Sequence, residues 1–486
     1  MASEPRPLSP TYIHIKNASV ITVDATAGVL SNCDVLLEND AIRATGPNLD
    51  VPSDVSLTVI DATNCIVVPG FVNGHHHLWQ HLIRGVSTDW SLFDYLVSIR
   101  SLYGSVYTAD DVELAYYAGA LDLLNNGVTC ILEHSHIINS PEHADAAIRG
   151  LKKLAQRVRD ARRVREVHFT NNNPAEELLT FGIAPTEPES QPLDETVRQI
   201  LLSRDLGARI TTMHVAMGPY DTAHQEVVQH LANEHILGPD LVFSHGASLT
   251  DSELDSIRST GAGVVSTPDT ELQMGMGFPV AFRATDKGCN ACLGLDITSN
   301  QGNDFMTQMR LALQVQRAVD NQGGLPLAIR RKTAEVLRMG TLGGAEVLRV
   351  DHLVGSIAVG KKADLVIFRC DDISTLPVHD PTATVIFHTS SANIDTVIVN
   401  GRIVKKDGRL VGADWPSVRS AVLSQSERIK AQAAKVDLGA ARAKWLEVFF
   451  SATVMLTATR SSVDFCVYRL DLHMKIVLIL RVVVRK

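Results

Sequence analysis

Aromatic residues are scarce. They make up 5% of the 486 residues, too few for the stacking platforms of single-strand nucleic-acid binders. Basic charge is not in excess either: 45 Lys and Arg stand against 54 Asp and Glu, for a net charge of -9. No nucleic-acid partner is therefore expected. No apolar run reaches the roughly 18 residues of a bilayer-spanning helix, so no membrane partner is expected. The opening MASEPRPLSP lacks the apolar core of a secretory signal. Cysteines are few, seven in all, and an odd count in an unexported chain suits a reducing, cytoplasmic setting. Only Cys289 and Cys292 lie close together. They enter an apolar strand-like run with no second pair, which reads as buried structural thiols and not as a redox motif. Glycine and proline show no period, which excludes a collagen-like chain. A hydrophobic content of 45% against 20% charged residues excludes wholesale disorder.

What is present is an ordered alternation. Residues 12–23, 34–37, 41–44 and 57–60 are β-branched or apolar runs broken by Asn, Asp, Gly and Pro. The same texture returns at 355–359, 365–368, 384–388 and 397–404, with a tight turn at Asn400-Gly401. The two ends, 1–65 and 355–413, are expected to pair into one small composite β-sandwich. Between them, at 66–354, apolar runs at 66–72, 128–132, 179–184, 210–214, 241–245, 263–267 and 291–296 alternate with helical patterns. That span is long enough for a (β/α)8 barrel, which takes about 250 residues. The fold class is therefore α/β. Residues 414–447 read as C-terminal helices.

Two stretches do not fit. Between residues 132 and 179 a barrel needs a third strand, but the sequence offers one long helix near 141–165 and a weak strand at 164–170. A distortion of the barrel at the third strand is expected there. The basic run at 152–165 reads as a solvated helix face and not as a binding patch. The tail, 448–486, turns apolar without clean periodicity in VFFSATVMLTAT and IVLILRVVV, and reads as a poorly packed extension.

The 18 histidines are clustered. His75, His76 and His77 follow the run CIVVPGFVN, and side chains two apart on a strand share a face. His75 and His77 thus aim inward together, at the strand end where barrels place their chemistry, while His76 faces out. His214 ends ITTMH, His245 ends LVFSH and Asp296 ends ACLGLD. Singly, each is an ordinary strand-end residue. Together they put four histidines and one carboxylate at the same end of parallel strands, a donor set that suits a divalent ion such as zinc.

These motifs resemble the metal-dependent amidohydrolase superfamily, in its cytosine-deaminase-like and chlorohydrolase-like branch. PGFVNGHHHLWQHLIRG (69–85) resembles the first-strand signature, and LGLDITSN (293–300) the eighth-strand motif. GSIAVGKKADLVIF (355–368) and VNGRIV (399–404) resemble the return into the sandwich. The resemblance, over residues 12–412, implies one divalent metal ion, zinc or iron, on His75, His77, His214 and Asp296. It implies Asp296 as general base toward a metal-activated water, and His245 as the group that steadies the developing oxyanion. The implied reaction is hydrolysis of a carbon–nitrogen bond of a small molecule, by a heterocyclic-amine deaminase or a cyclic-amide hydrolase. The fourth-strand run LLTFGIAP (178–185) holds neither the lysine nor the glutamate that bridges two metals in this superfamily, although Glu187 lies just beyond.

One departure bears on the chemistry. Deaminases of this branch carry H-x-x-E on the fifth strand, whereas this chain has His214-Val215-Ala216-Met217. A thioether transfers no proton. A hydrolase that displaces another ring substituent, such as halide, is therefore the first alternative. A scaffold that keeps the metal but not the activity is the second. Trp79, Gln80, Met217 and Glu271 are read as substrate-facing: Trp79 by stacking, Gln80 by hydrogen bonding to a heterocycle edge. A homo-oligomer is left open.

Overall fold

The computed structural model of the chain describes residues 10–153, 169, 171–221, 225–443, 445–446 and 475–481. The chain's β-rich ends pair through β1 (Thr11–Ile21), β2 (Val29–Glu38), β3 (Ala41–Gly46), β4 (Ser56–Asp61) and β5 (Cys65–Pro69). The returning segment adds β13 (Leu365–Arg369), β14 (Ile394–Val399), β15 (Arg402–Lys406) and β16 (Arg409–Leu410). The expected composite sandwich is one continuous nine-stranded sheet, in the order β16-β15-β14-β13-β5-β1-β2-β3 with β4 on β1. The continuity comes from β1. Its first half pairs in parallel with β4, and Ser19 and Val20 pair with β5. The register shifts between these halves, where Asn17 takes a left-handed φ of 63°. Asparagine tolerates that conformation better than most residues, and a bulge there re-aims the strand.

Two expected strands are something else. Residues 384–388 form a π-helical turn, Thr384–His388, directly after the short helix Pro381–Ala383. The Asp380 side chain caps Ala383 N at 3.0 Å with Pro381 in the first helical position. These start signals outweigh the β-propensity of TVIF. Residues 355–359 form no strand: Gly355 has φ +91°, and a Cβ there would meet the Leu342 Cα at 2.9 Å.

The apolar run at 66–72 is divided at Gly70. Its first part is β5, in the nine-stranded sheet. Its second begins β6 (Phe71–His76), in a separate eight-stranded sheet. That sheet continues through β7 (Val128–His134), β8 (Leu179–Ala184), β9 (Thr211–Val215), β10 (Leu241–His245), β11 (Gly263–Ser266) and β12 (Asn290–Leu293). These seven strands run parallel wherever they pair. The two edge strands also meet, through an isolated parallel bridge between His76 and Asp296. Helices between the strands start where the sequence caps them. Thr108 and Asp111 form a capping box at Ala109–Asn125, and Thr250 and Glu253 form one at Asp251–Thr260.

The eighth strand corrects the barrel expectation and the reading of the tail together. β17 (Lys475–Arg481) lies between β7 and β8, antiparallel to both. Val477 pairs with His134 and Arg481 with Cys130 on one side; Lys475 pairs with Ala184 and Leu480 with Leu179 on the other. A gap there would leave two rows of backbone N–H and C=O groups unmatched inside a sheet, which is costly. The β-branched tail segment satisfies both rows. Seven parallel strands and one antiparallel strand thus stand where eight parallel strands are expected. The candidate third strand at 164–170 and most of the basic run at 152–165 lie outside the described residues. The helix Pro141–Lys153 buries Ala144, Ala147, Ile148 and Leu151.

Among the described residues, six cysteines are buried, and no helix is long and apolar enough to cross a membrane. Cys289 donates to the Leu254 carbonyl at 3.2 Å. Burial pushes its thiol up to about 11 and that of Cys292 higher still, which leaves both unreactive.

Candidate metal centre

Parallel strands end together, so the last residues of β6, β9, β10 and β12 collect at one rim. His75 Nε2 lies 3.2 Å from His214 Nε2 and 3.4 Å from Asp296 Oδ1. His77 Nε2 lies 3.3 Å from the same carboxylate oxygen. All four residues are buried. Donors held about 2.0–2.1 Å from a tetrahedral zinc stand about 3.3–3.4 Å apart. Three contacts among the four donor atoms, His75 with His214, His75 with Asp296 and His77 with Asp296, have that spacing.

The other ring nitrogens are committed elsewhere. His77 Nδ1 lies 2.6 Å from the His134 carbonyl, which can only accept, so the proton sits on Nδ1 and the Nε2 lone pair faces the cluster. His214 Nδ1 lies 3.0 Å from Glu187 Oε2, and His75 Nδ1 lies 3.0 Å from Ser244 Oγ. Such partners fix the tautomer and the ring direction of metal-bound histidines. Burial pushes His214 down to about 4 and lowers His75 and His77 as well. Burial alone would raise the Asp296 carboxyl, but its hydrogen bond with His75 and the charges of His75, His245 and His214 hold it well below the carboxylate range. Imidazoles around a buried carboxylate form a donor set that suits a cation.

The backbone is shaped for this convergence. His245 and Asp296 take left-handed φ values of 74° and 58°, a conformation uncommon outside glycine that recurs at functional sites. Gly294 lets the end of β12 approach β6: a Cβ there would meet the His75 carbonyl oxygen and the His75 Cβ, each at 3.0 Å. Asn73 Oδ1 accepts from His75 N and Leu295 N, clipping the two edges together.

His245 stacks on His214 with centroids 5.2 Å apart. Its Nδ1 lies 3.1 Å from Thr267 Oγ1 and 3.6 Å from Glu271 Oε1. Burial lowers its pKa, but the Glu271 hydrogen bond and the charges of Asp296, Glu271 and Glu187 outweigh burial, so the net direction is up. Glu271 itself is buried and accepts from Ser266 Oγ at 2.7 Å and Thr267 N at 2.6 Å. Trp79 is buried, with its indole N–H on His136 Nδ1 at 2.8 Å. Gln80 is also buried; it donates to Tyr95 Oη and accepts from Ser299 Oγ, both at 2.6 Å. Trp79, Gln80 and Glu271, the residues read from the sequence as substrate-facing, thus lie beside the centre as buried side chains. Their polar atoms are engaged within the protein, and they brace the centre. Met217 is partly exposed in the loop after β9. His76 is buried and lies apart from the donor set, with no hydrogen-bond partner for either ring nitrogen among the described residues.

Sequence reasoning missed the supporting shell of Ser244, Thr267 and Arg100. Arg100 Nη1 lies 3.5 Å from Glu187 Oε1, so Glu187 spans Arg100 and His214. Glu189 accepts from Ala216 N at 2.7 Å. Burial pushes its carboxyl up to about 8, with Asp221, Glu187 and Glu253 adding to the rise and the Ala216 N–H opposing it. An unfolded glutamate titrates near 4.3, so folding binds this proton more tightly. The stability tied to the proton is present at low pH and is lost as pH rises from about 4.3 to about 8. Glu189→Gln, which has nothing to ionise, is expected to gain thermal midpoint over the parent as pH rises from 5 to 8, by several degrees at pH 8. Thermal melts across that range check it.

Comparison with known proteins follows this geometry. Residues 66–404 match the Amidohydrolase family. The chain is 28% identical over 417 residues to the 5-methylthioadenosine/S-adenosylhomocysteine deaminase of Pyrococcus furiosus, covering 82% of this chain and 96% of that one. It is 26% identical over 406 residues to the 5'-deoxyadenosine deaminase of Methanothermobacter thermautotrophicus, covering 79% of this chain and 92% of that one. An adenosine deaminase of Xanthomonas campestris with bound zinc superposes with a TM-score of 0.76 at 24% identity, over 87% of this chain and 100% of that one. An atrazine chlorohydrolase of Arthrobacter aurescens complexed with zinc superposes with a TM-score of 0.75 at 20% identity, over 85% and 100%. These two structures share the fold. The chain belongs to the amidohydrolase family and is a hydrolase of carbon–nitrogen bonds.

Proposed function

We propose that the chain deaminates an aminopurine nucleoside, releasing ammonia from an sp² ring carbon, with one divalent metal ion, zinc in first place, on His75, His77, His214 and Asp296. One observation carries the reading: three contacts of 3.2–3.4 Å link those four donors at one strand-end rim. The identity to deaminases of 5'-substituted adenosines supports the substrate class. A divalent ion in such a site supplies a water acidic enough to ionise near neutral pH.

The remaining work falls to the chain's own residues. Asp296 is held ionised by the surrounding imidazoles, so it is set to take a proton as general base and to return it to the leaving nitrogen. His245, braced through Nδ1 by Thr267 and Glu271, keeps Nε2 for the oxygen on which negative charge develops. Glu187 and Ser244 hold the His214 and His75 rings in place. Met217 gives the substrate an apolar contact where a proton carrier would otherwise stand. That last feature favours a second reading, displacement of a ring substituent other than an amine, which needs no proton delivered to a ring nitrogen.

Ammonia release against a panel of aminopurine nucleosides, cyclic amides and halogenated heterocycles separates these readings. Release from the aminopurines alone is expected. Halide release without ammonia contradicts the deaminase reading. Met217→Glu is expected to raise ammonia release by about 10-fold or more, in the lower range of general acid–base effects; an unchanged rate means that no acid is lacking at that position.

A further inference from the structure

We propose that His134 is a fifth protein ligand of the metal centre, beyond His75, His77, His214 and Asp296; this rests on the metal-site reading above. His134 ends β7, the neighbour of β6. Its imidazole is buried and stacks on His214, with centroids 4.4 Å apart and 10° between planes. It stands 5.5 Å from the His75 ring and 5.2 Å from the His77 ring. Ring nitrogens of His75, His134 and His214 lie within 4.8 Å of one another, just as donors of His75, His77 and Asp296 do. Two donor triads thus share His75.

Contacts of 3.2–3.4 Å within the first four residues match tetrahedral edges. His134 meets the cluster on its His75 and His214 side. The backbone at His134 is also fixed from two sides. Its carbonyl accepts from His77 Nδ1 at 2.6 Å, and it pairs in register with Val477 of β17. With its backbone held on two sides, His134 keeps its ring stacked on His214 beside the cluster.

The test uses the full chain loaded with Co²⁺, read by its visible absorption, together with Zn²⁺ affinity from competition with a chromophoric chelator. His134→Ala and the polar, similarly sized His134→Gln are compared with the parent and with His77→Ala. Both His134 variants are expected to shift the Co²⁺ bands and to weaken Zn²⁺ binding by about 10-fold or more. Added imidazole is expected to restore the parent bands in His134→Ala. Unchanged bands and affinity in both, while His77→Ala loses its metal, overturn the proposal and leave a four-ligand centre. Retention of metal by His77→Ala as well overturns the metal-site reading itself.

Discussion

Asp296→Asn is expected to lower turnover by about 10⁴-fold or more while the protein stays folded. The proposed function gives the carboxylate two tasks: it is the anionic donor among the four, 3.3–3.4 Å from the His75 and His77 imidazoles, and it would accept the proton. Losing a general base alone costs about 10²–10⁴. Weakened hold on a water-activating ion multiplies that. Asparagine has nearly the same shape and can still accept the bridge to β6, since Asp296 pairs there through its backbone: Asp296 N donates to the His75 carbonyl and His77 N to the Asp296 carbonyl. Circular dichroism should therefore match the parent. Steady-state turnover within 10-fold of the parent would remove Asp296 from the chemistry.

The second large effect is expected from the tail. Ile479 of β17 sits opposite Leu132 on β7 and Thr180 on β8. A central strand donates alternate amides to each neighbour, so Ile479→Pro removes a ladder bond and forces the strand apart. A buried group left unpaired costs about 1–3 kcal/mol, and a chain of this size loses roughly 2–4 °C of thermal midpoint per kcal/mol. The midpoint should fall by about 5 °C or more. Metal loading should fall with it, because β7 and β8 lead into the His134 carbonyl and Glu187 that orient His77 and His214. Ile479→Val keeps the amide and should behave as the parent. A proline variant with parent-like melting and loading would show that the sheet does without β17.

The convergence of His75, His77, His214 and Asp296 was legible because its signal is local. Each ends an apolar run, and strand alternation alone pairs His75 with His77. The nine-stranded sheet was legible for the same reason, strand by strand. Its continuity was not, since it depends on one bulge at Asn17. The π-helical turn at Thr384–His388 was missed because a cap at Asp380 outweighs a β-prone composition. β17 was missed because nothing within KIVLILR tells which distant edges it joins; only the gap between β7 and β8 gives that segment a place. Trp79, Gln80 and Glu271 were placed by their nearness to motifs. Nearness in sequence does not say which partners a buried polar side chain meets, and their hydrogen bonds to His136, Tyr95 and Ser266 were not legible.

Metal content per chain, measured by plasma mass spectrometry on the full-length protein after dialysis, reaches the central claim most directly. About one divalent ion per parent chain is predicted, falling to near zero in His75→Ala, because His75 touches both His214 and Asp296. A parent that takes up no zinc from excess, or a His75→Ala protein that keeps a full equivalent, would contradict it.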